Sequence, residues 1–291
     1  MNAWVRTDLH GHTLFSDGRA TPEELVAFRR EQAMAVIAAS DHDVFDAVRR
    51  AAVVADRAGM VLIPAAEITA FLSFGQADAE QFHVLAYFPR RALAEGRLEQ
   101  SFLYRRGLRV KETWRTFVLE WFRALGADDR HALDADGVLE GTPPAVFPAL
   151  QSMIDRIVAR RRPLFEPFRD HHVRFWNDNE QLFGWTPEEA IDAIRADGAI
   201  DVVAHAARYR DRRRTLAVLE HATGVEAYTS RHRPEIALEY RAFAEARKKL
   251  WTASSDDHQN ARYIKPAAGM PLASVERLLQ QQLPLALISA A

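Results

Sequence analysis

Two histidines near the start of the chain have the spacing of a metal-binding pair. His10 and His12 stand two positions apart after a short apolar run. Side chains alternate between the two faces of an extended chain, so residues two apart point to the same side. Imidazole is a common metal ligand, but histidines at this spacing also occur in cores and on surfaces without an ion. The pair alone therefore leaves metal binding and a structural role equally open.

Further residues of metal-ligand type follow other apolar runs. They are Asp41, His42, Asp43, Glu67, His83, His205, Asp256 and His258. Any one of them has a simpler explanation, as a buried histidine bonded to a carbonyl or as a carboxylate capping a helix, and capping is a natural alternative for Asp41 and Asp43. The set as a whole indicates metal, because each unpaired buried charge costs several kcal/mol unless cations compensate it.

The composition restricts both the metal and the partner. The chain has no cysteine, so any ion must be held by His, Asp and Glu. Nitrogen and oxygen ligands suit Mn, Zn or Fe better than an all-oxygen site for Mg or Ca, and the number of ligands indicates two or three divalent ions. The formal net charge is −2, with no block of like charge, which argues against a nucleic-acid polymer as partner. We find no signal peptide and no run of about 18 apolar residues, so we expect a cytoplasmic protein without a membrane partner.

Seven apolar runs of strand length predict the sheet that must position these residues. They cover residues 4–9, 33–39, 60–66, 82–88, 200–204, 224–228 and 250–254. Continuous hydrophobicity is typical of strands buried on both faces. Helix starts lie between several runs, as at Thr21 and Thr186, each followed by Pro-Glu-Glu. The alternation predicts parallel strands joined by crossover helices, in an open sheet or a closed barrel.

The alternation stops between residues 90 and 180. This stretch is largely helical in pattern and rich in aromatic residues, which we interpret first as its own core and second as a lid over the site. Within it, residues 126–148 are rich in Asp, Gly and Pro and predict a loop. We therefore predict a barrel domain formed by residues 1–89 and 181–291, with a mostly helical insertion at residues 90–180.

The chain resembles the PHP (polymerase and histidinol phosphatase) metal-dependent phosphoesterases over nearly all of its length outside the insertion. The resemblance rests on His10-Gly-His12, Ser16-Asp17-Gly18, Asp41-His42, Glu67, His83, His205 and Ser255-Asp256-Asp257-His258. It implies an α/β fold, a distorted (β/α)7 TIM-like barrel that usually holds three metal ions. The aspartate at position 17, in place of a histidine, resembles the form found in the branch of the family that hydrolyses AMP and 3′,5′-bisphosphonucleotides.

The resemblance also implies a role for each matching residue. The first ion would be held by His10, His12, Glu67 and Asp256. Glu67 would bridge to a second ion, completed by His83 and His205. The third would be held by Asp17, His42 and His258.

The reaction that the resemblance implies is hydrolysis of a small phosphomonoester by attack of a metal-bridging hydroxide. Glu67 would hold the bridged pair of ions. Asp17 or His258 near the third ion, or a metal-bound water, would protonate the leaving oxygen, and the residue types do not choose between them.

Donors for the substrate phosphate are expected in the later strand-end loops. Arg208 stands three residues after His205, and Ser230 and His232 follow the next predicted strand. Glu226, in that strand, is a candidate for orienting a ligand.

Three other functions stay open at this point. A histidinol-phosphatase-like enzyme would use the same site on another small phosphomonoester. A 3′–5′ nuclease-like enzyme would need a basic groove, which the charge balance does not indicate. A non-catalytic regulatory module would bind the metals without turnover.

Overall fold

A computed structural model describes residues 3–143, 146–258, 269–284 and 287. The strands are β1 Trp4–Val5, β2 Thr7–Asp8, β3 Val36–Ala39, β4 Val61–Leu72, β5 Glu80–Tyr87, β6 Ile200–Val203, β7 Gly224–Tyr228, β8 Leu250–Ala253 and β9 Met270–Pro271. The helices are α1 Pro22–Glu31, α2 Asp46–Arg57, α3 Arg90–Ala94, α4 Phe102–Arg123, α5 Ala127–Leu133, α6 Ala135–Glu140, α7 Leu150–Arg161, α8 Phe165–Asn177, α9 Glu180–Phe183, α10 Pro187–Ala196, α11 Arg212–His221, α12 Pro234–Ala246 and α13 Leu272–Leu279. None of the helices in the described ranges is long and apolar enough to cross a membrane.

Seven strands form one sheet that is nearly closed on itself. Strands β2 to β8 are hydrogen-bonded neighbours in chain order. The chain beyond β2 meets the chain beyond β8, where His12 N donates to Asp257 O and Asp256 N donates to His10 O, both at 2.9 Å. These bonds close the barrel and bring the first and last predicted motifs side by side, so the predicted barrel is confirmed.

The prediction that all strands run parallel is wrong for β5. This strand is antiparallel to both β4 and β6, whereas the other neighbours in the barrel are parallel. The physical reason is the short 73–79 connection between β4 and β5, because a parallel crossover needs a dozen residues or more. The first residues of β5 therefore lie at the edge of the sheet where the parallel strands end.

The helix starts predicted from the sequence are present. Thr21 accepts from the backbone N–H of Glu24 and caps α1, and Thr186 does the same for α10 through Glu189. In both helices the glutamate also accepts from the cap residue, so each forms a complete capping box. The two helices pack against the outer face of the sheet, over one continuous apolar core.

The chain between β5 and β6 is largely helical, and its part from Val110 to Phe183 forms an apolar cluster distinct from the barrel core, which Val44 and Phe71 of the barrel join. The loop predicted for residues 126–148 is wrong in its first part, because α5 and α6 occupy it. Asp128 and Asp129 lie in the first turn of α5, where carboxylates stabilise the positive end of the helix dipole. Pro144 and Ala145 of the predicted loop lie outside the described residues.

Helix α4 is fastened to the barrel by a buried arginine. Arg106 donates to Asp43 at 2.6 Å and to Leu182 O at 2.6 and 3.0 Å, and its guanidinium lies 4.4 Å from the centre of the Trp185 ring. The next residue is Gly107, where an added Cβ would lie 2.6 Å from Asp43 O. Only glycine allows the helix to approach the loop after β3 so closely.

Candidate metal centre

Glu67 lies at the centre of a cluster of buried histidines. It stands in the middle of β4 with its side chain out of contact with solvent. Five imidazole nitrogens lie 3.0–3.2 Å from its two carboxylate oxygens, one each from His10, His12, His42, His83 and His205. A single carboxylate needs far fewer partners for charge pairing or hydrogen bonding, so the arrangement requires another explanation.

The histidines meet because of where the strands end. His10 and His12 follow β2, His42 follows β3 and His205 follows β6, all at the edge where these parallel strands end. His83 lies within β5, in its first half. Because β5 runs in the opposite direction, that half lies at the same edge. The reversed strand therefore delivers its histidine to the same place as the parallel ones.

Two carboxylates and a sixth histidine complete the cluster. Asp256 Oδ1 lies 3.6 Å from His10 Nε2 and 3.4 Å from His12 Nε2. Asp17 Oδ2 lies 3.3 Å from His258 Nε2. All nine predicted ligands are thus brought together at one end of the barrel.

Seven of these nine residues form three overlapping groups whose ligand atoms lie within 4.8 Å of one another. The groups are His12, Asp17, His42 and His258; His10, His12 and Glu67; and His42, Glu67 and His83. They differ from the implied assignment in that His12 joins the group of Asp17, and His42 joins Glu67 and His83. His205 and Asp256 lie beside these groups, at the distances given above.

The spacing of the cluster suits divalent cations. Ligand atoms at about 2.0–2.2 Å from a tetrahedral ion lie about 3.3–3.6 Å from each other, and the nitrogen to oxygen separations here run from 3.0 to 3.7 Å. Nδ1 of His42, both ring nitrogens of His83 and Oε2 of Glu67 are buried and form no hydrogen bond within the described residues. Such buried polar atoms are rare in proteins. The residues therefore fit metal ions as their missing partners.

The charges in the cluster depend strongly on one another. Burial opposes ionisation of Glu67 and Asp256, but neighbouring histidines, His10 foremost, hold the pKa of each carboxyl well below its usual range. Burial also opposes protonation of His12, but hydrogen bonds to Asp256 and Glu67 raise its pKa to about 10. Protons on the histidines balance the carboxylates in this state, so binding of a cation would release protons.

Side chains outside the cluster hold its ligands in orientation. Glu226 accepts from His10 Nδ1 at 3.0 Å and from the backbone N–H of His205 at 2.7 Å. The Tyr209 hydroxyl lies 3.3 Å from His205 Nδ1. Glu226 therefore occupies the orienting position that the sequence suggested for it, and fixes two histidines from different strands.

Asp41 lies next to the cluster without joining it. It accepts from the backbone N–H and the hydroxyl of Thr13, both at 2.7 Å, and from the Ser16 hydroxyl at 2.6 Å. The loop between His12 and Gly18 folds back so tightly that a Cβ on Gly18 would lie 2.4 Å from His12 O. Asp41 thus shapes the loop that carries Asp17, and the alternative that it caps the following helix is wrong, because that helix begins after Phe45 without a side-chain cap.

Two candidate ligands have strained backbones. His205 has φ 31° and Asp256 has φ 55°, in the left-handed region that residues other than glycine rarely adopt. Each such residue costs on the order of 1–3 kcal/mol and persists only where its surroundings hold it, which is common at functional sites. The bond from His205 N to Glu226 is one such restraint.

A cavity of about 590 Å³ opens over the cluster, and Arg208 and Ser230 line it. His232 does not line it. Its Nδ1 donates to Ala227 O at 2.9 Å, and its Nε2 accepts from Ala207 N at 3.2 Å. The expectation that His232 binds substrate is corrected accordingly, because both ring nitrogens are engaged by the backbone and the side chain instead holds the turn that carries Arg208.

Sequence reasoning missed two sets of residues that line the cavity. The first is Arg231, a half-exposed residue whose Nε donates to Asp256 Oδ2 at 2.7 Å. Its only signal was its position between Ser230 and His232. The second set comes from the helical region and comprises Val110, Trp114, Phe147, Leu150, Gln151, His172, Phe175 and Trp176. No motif marks these residues, and only their packing brings them to the site.

No protein-family model matches the chain, and no curated protein matches it by sequence. Solved structures do match it. A "putative metal-dependent phosphoesterase" from Bifidobacterium adolescentis has a TM-score of 0.64 at 22% identity, covering 98% of this chain and 99% of that one. An amidohydrolase from Chromobacterium violaceum, with bound sulfate and no metal, has a TM-score of 0.58 at 21% identity, covering 98% and 96%. A two-domain Bacteroides vulgatus protein with a PHP-like metal-dependent phosphoesterase part reaches only 0.42 at 13% identity, over 89% of this chain and 53% of that one.

The comparisons agree with the architecture. The predicted resemblance to the PHP phosphoesterases is confirmed for the fold, a nearly closed seven-stranded barrel of α/β type. The assignment to the nucleotide branch stays a prediction.

Proposed function

We propose that this PHP-type barrel is a metal-dependent phosphoesterase that releases phosphate from a small phosphomonoester. The observation that carries the proposal is the content of one cavity, which is lined by seven of the nine ligand-type residues and by two arginines at its rim, with His10 and His12 buried beside Glu67. Cations and guanidinium groups together match the charge and the oxygen atoms of a phosphate group.

The two arginines are suited to hold the phosphate. Arg231 uses only Nε for Asp256, and its terminal NH2 groups make no other hydrogen bond within the described residues. Arg208 is exposed at the end of a short turn that His232 fixes. Ser230 lies beside Arg231 and adds a hydroxyl. These three residues would orient the phosphoryl group against the cluster.

Divalent cations in this cluster would neutralise phosphoryl oxygens and supply a nucleophilic water at neutral pH. Their ligands, nitrogen and oxygen without sulfur, suit Mn, Zn or Fe.

We propose that His258 donates the proton to the leaving oxygen. Burial opposes ionisation of Asp17, but His42 and His258 hold its pKa far below the usual range, so Asp17 stays ionised and is a poor acid. His258 Nδ1 donates to the backbone oxygen of Asp256 at 3.0 Å, so Nε2, which faces Asp17, can exchange a proton when ions occupy the groups around Glu67 and no ion is bound to His258 itself. Asp17 then serves to hold the imidazole.

We further propose a nucleotide such as AMP or a 3′,5′-bisphosphonucleotide as the substrate. A volume of about 590 Å³ is much larger than a phosphate ion and falls in the usual range of small-molecule sites. The sulfate bound by the Chromobacterium violaceum protein is consistent with a tetrahedral anion as ligand of this fold.

The proposal is tested by a phosphate-release screen with Mn²⁺, Zn²⁺ and Mg²⁺. Its substrates include AMP, 3′,5′-bisphosphoadenosine and histidinol phosphate, and a single-stranded DNA tests the nuclease alternative. We expect release from at least one phosphomonoester and its loss in the His10→Ala variant. If the loaded wild-type protein releases no more phosphate than this variant, it is not a phosphomonoesterase. Metal binding without any turnover would identify a regulatory module.

A further inference from the structure

The cavity has two walls of opposite character. Every acidic or basic residue that lines it, apart from His172, comes from the barrel strands and their loops. The residues from the helical region are apolar or aromatic, with Gln151 and His172 as the polar members, and no Asp, Glu, Lys or Arg of the described helical region is among them. This wall offers no charged side chain to pair with, so we expect the part of a substrate that contacts it to be apolar or aromatic and not anionic.

Four of the eight residues of the helical wall are rings in mutual contact, and we name Trp114, His172, Phe175 and Trp176 the aromatic wall. Their edges meet the faces of their neighbours. The ring centres of His172 and Trp114 are 5.5 Å apart at 84°, and those of His172 and Trp176 are 4.8 Å apart at 77°. Phe175 meets Trp114 at 5.2 Å and 81°. Such T-shaped contacts fix the orientation of each ring.

Two rings of the aromatic wall are anchored by the protein itself. Trp114 Nε1 donates to Pro148 O at 3.0 Å, and Trp114 and Phe175 are buried in the core of the helical region. Arg106 fastens helix α4, which carries Trp114, to the barrel loop at Asp43. A ligand would thus meet rings that are already ordered, which reduces the entropic cost of binding.

His172 is a further indication of a ligand. Its imidazole lies between two indoles and forms no hydrogen bond within the part of the chain that the structure describes. Burial lowers its pKa to about 4, against the opposing effect of Asp17, so the ring is neutral near pH 7. A neutral imidazole carries one donor and one acceptor, both suited to the edge of an uncharged ring.

We infer that the aromatic wall is the subsite for the leaving group of the substrate, and that this group carries an uncharged aromatic ring. The inference rests on the proposed phosphomonoesterase function, which places the phosphate at the barrel wall of the same cavity. Stacking of the ring on the tryptophans would make the helical region responsible for substrate selection.

Paired ligands that differ only in the ring test the inference. The protein loaded with Mn²⁺ is titrated with benzylphosphonate and ethylphosphonate by calorimetry, and hydrolysis of benzyl phosphate and ethyl phosphate is compared. We expect benzylphosphonate to bind about tenfold more tightly, as a stacked ring usually provides. The KM for benzyl phosphate should be lower by a similar factor. Equal affinity of the two phosphonates would overturn the inference, whether or not any variant folds.

A matched pair of variants locates the effect. Trp176→Leu should abolish the preference for benzylphosphonate, whereas Trp121→Leu should keep it, because Trp121 packs in the same helical core without lining the cavity. A preference that survives in Trp176→Leu, or that is lost equally in both variants, would contradict the aromatic wall as its source.

The two proposals fail in different ways. Ring-dependent binding of the phosphonate without phosphate release from either ester or from any phosphomonoester of the screen would refute the phosphomonoesterase function and keep the ring-binding surface. Release from both esters with equal KM values and equal phosphonate affinities would refute the subsite and keep the function.

Discussion

The two walls of the cavity are built by different physical means. On the barrel side, charged residues stand at strand ends and are held by hydrogen bonds to fixed groups, as Glu226 holds His10 and His205. On the helical side, rings are held mainly by packing against one another, and one buried arginine, Arg106, joins the wall to the barrel. The barrel side requires precise placement, because ligand atoms must lie at fixed distances from an ion. The helical side requires only shape and freedom from charge.

The comparison implies that the two walls have different functions. Residues at the strand ends would carry the reaction, and residues from the helices would select the substrate. The sequence of helices inserted between two strands can vary without displacing the metal ligands, because the hydrogen bonds with which Glu226 positions His10 and His205 come from the barrel itself. The following predictions test how independent the two walls are.

The largest effect is expected at the centre of the barrel wall. Glu67→Gln removes the carboxylate charge that faces five imidazoles. We expect metal content to fall to background and phosphate release to fall by more than about a hundredfold, beyond the usual cost of losing a group outside the ligand set. Elemental analysis and the phosphate assay measure both quantities.

Glu166→Gln is the matched control for this substitution. Glu166 is an exposed residue of α8, paired with Arg169, and its variant should keep full metal content and turnover. A Glu67→Gln protein that retained its metal and its activity would show that the cluster is structural.

The second prediction concerns the connection between the walls. Arg106→Met leaves the buried Asp43 carboxylate without its partner, and we expect the free energy of unfolding to fall by about 3–5 kcal/mol. Urea denaturation measures the loss. Arg105→Met, at the exposed neighbouring position of α4, should cost less than about 1 kcal/mol. Similar losses in the two variants would mean that the helices are attached mainly by apolar contacts.

The smallest effect tests the uncharged character of the aromatic wall. Burial lowers the pKa of His172 to about 4 in the folded protein, from the value of 6.5 for an unperturbed histidine. Below pH 6.5 the unfolded chain takes up a proton that the folded chain does not accept until about pH 4, so stability is lost as the pH falls through this window. We expect the wild-type protein to lose about 2 kcal/mol more than His172→Phe, because the variant keeps the contributions of the other shifted groups, such as His42.

Urea titrations of the wild-type protein and His172→Phe at pH 7 and pH 4.5 measure this difference. His131→Phe, at an exposed position of α5, should behave as the wild type does. An equal decrease of stability with pH in the wild type and in His172→Phe would indicate that the imidazole is charged or solvated in the folded protein.

The sequence determined the barrel wall to a large extent. Its ligands lie in short contiguous motifs directly after apolar strands, and strand ends of one sheet meet at one edge, so His10, Glu67 and Asp256 could be placed together without coordinates. The helix starts at Thr21 and Thr186 could also be predicted from the sequence, because a capping box is a local pattern.

The tertiary structure decided what local patterns do not encode. The short 73–79 connection reversed β5 and so brought His83 to the cluster, and the final grouping of the ligands followed from closure of the barrel between β2 and β8. The aromatic wall and Arg231 had no motif, because rings that pack by shape leave no fixed spacing in a sequence. A metal site can be predicted from residue types and their spacing, whereas a surface that selects by shape forms only once the helices have packed against the barrel.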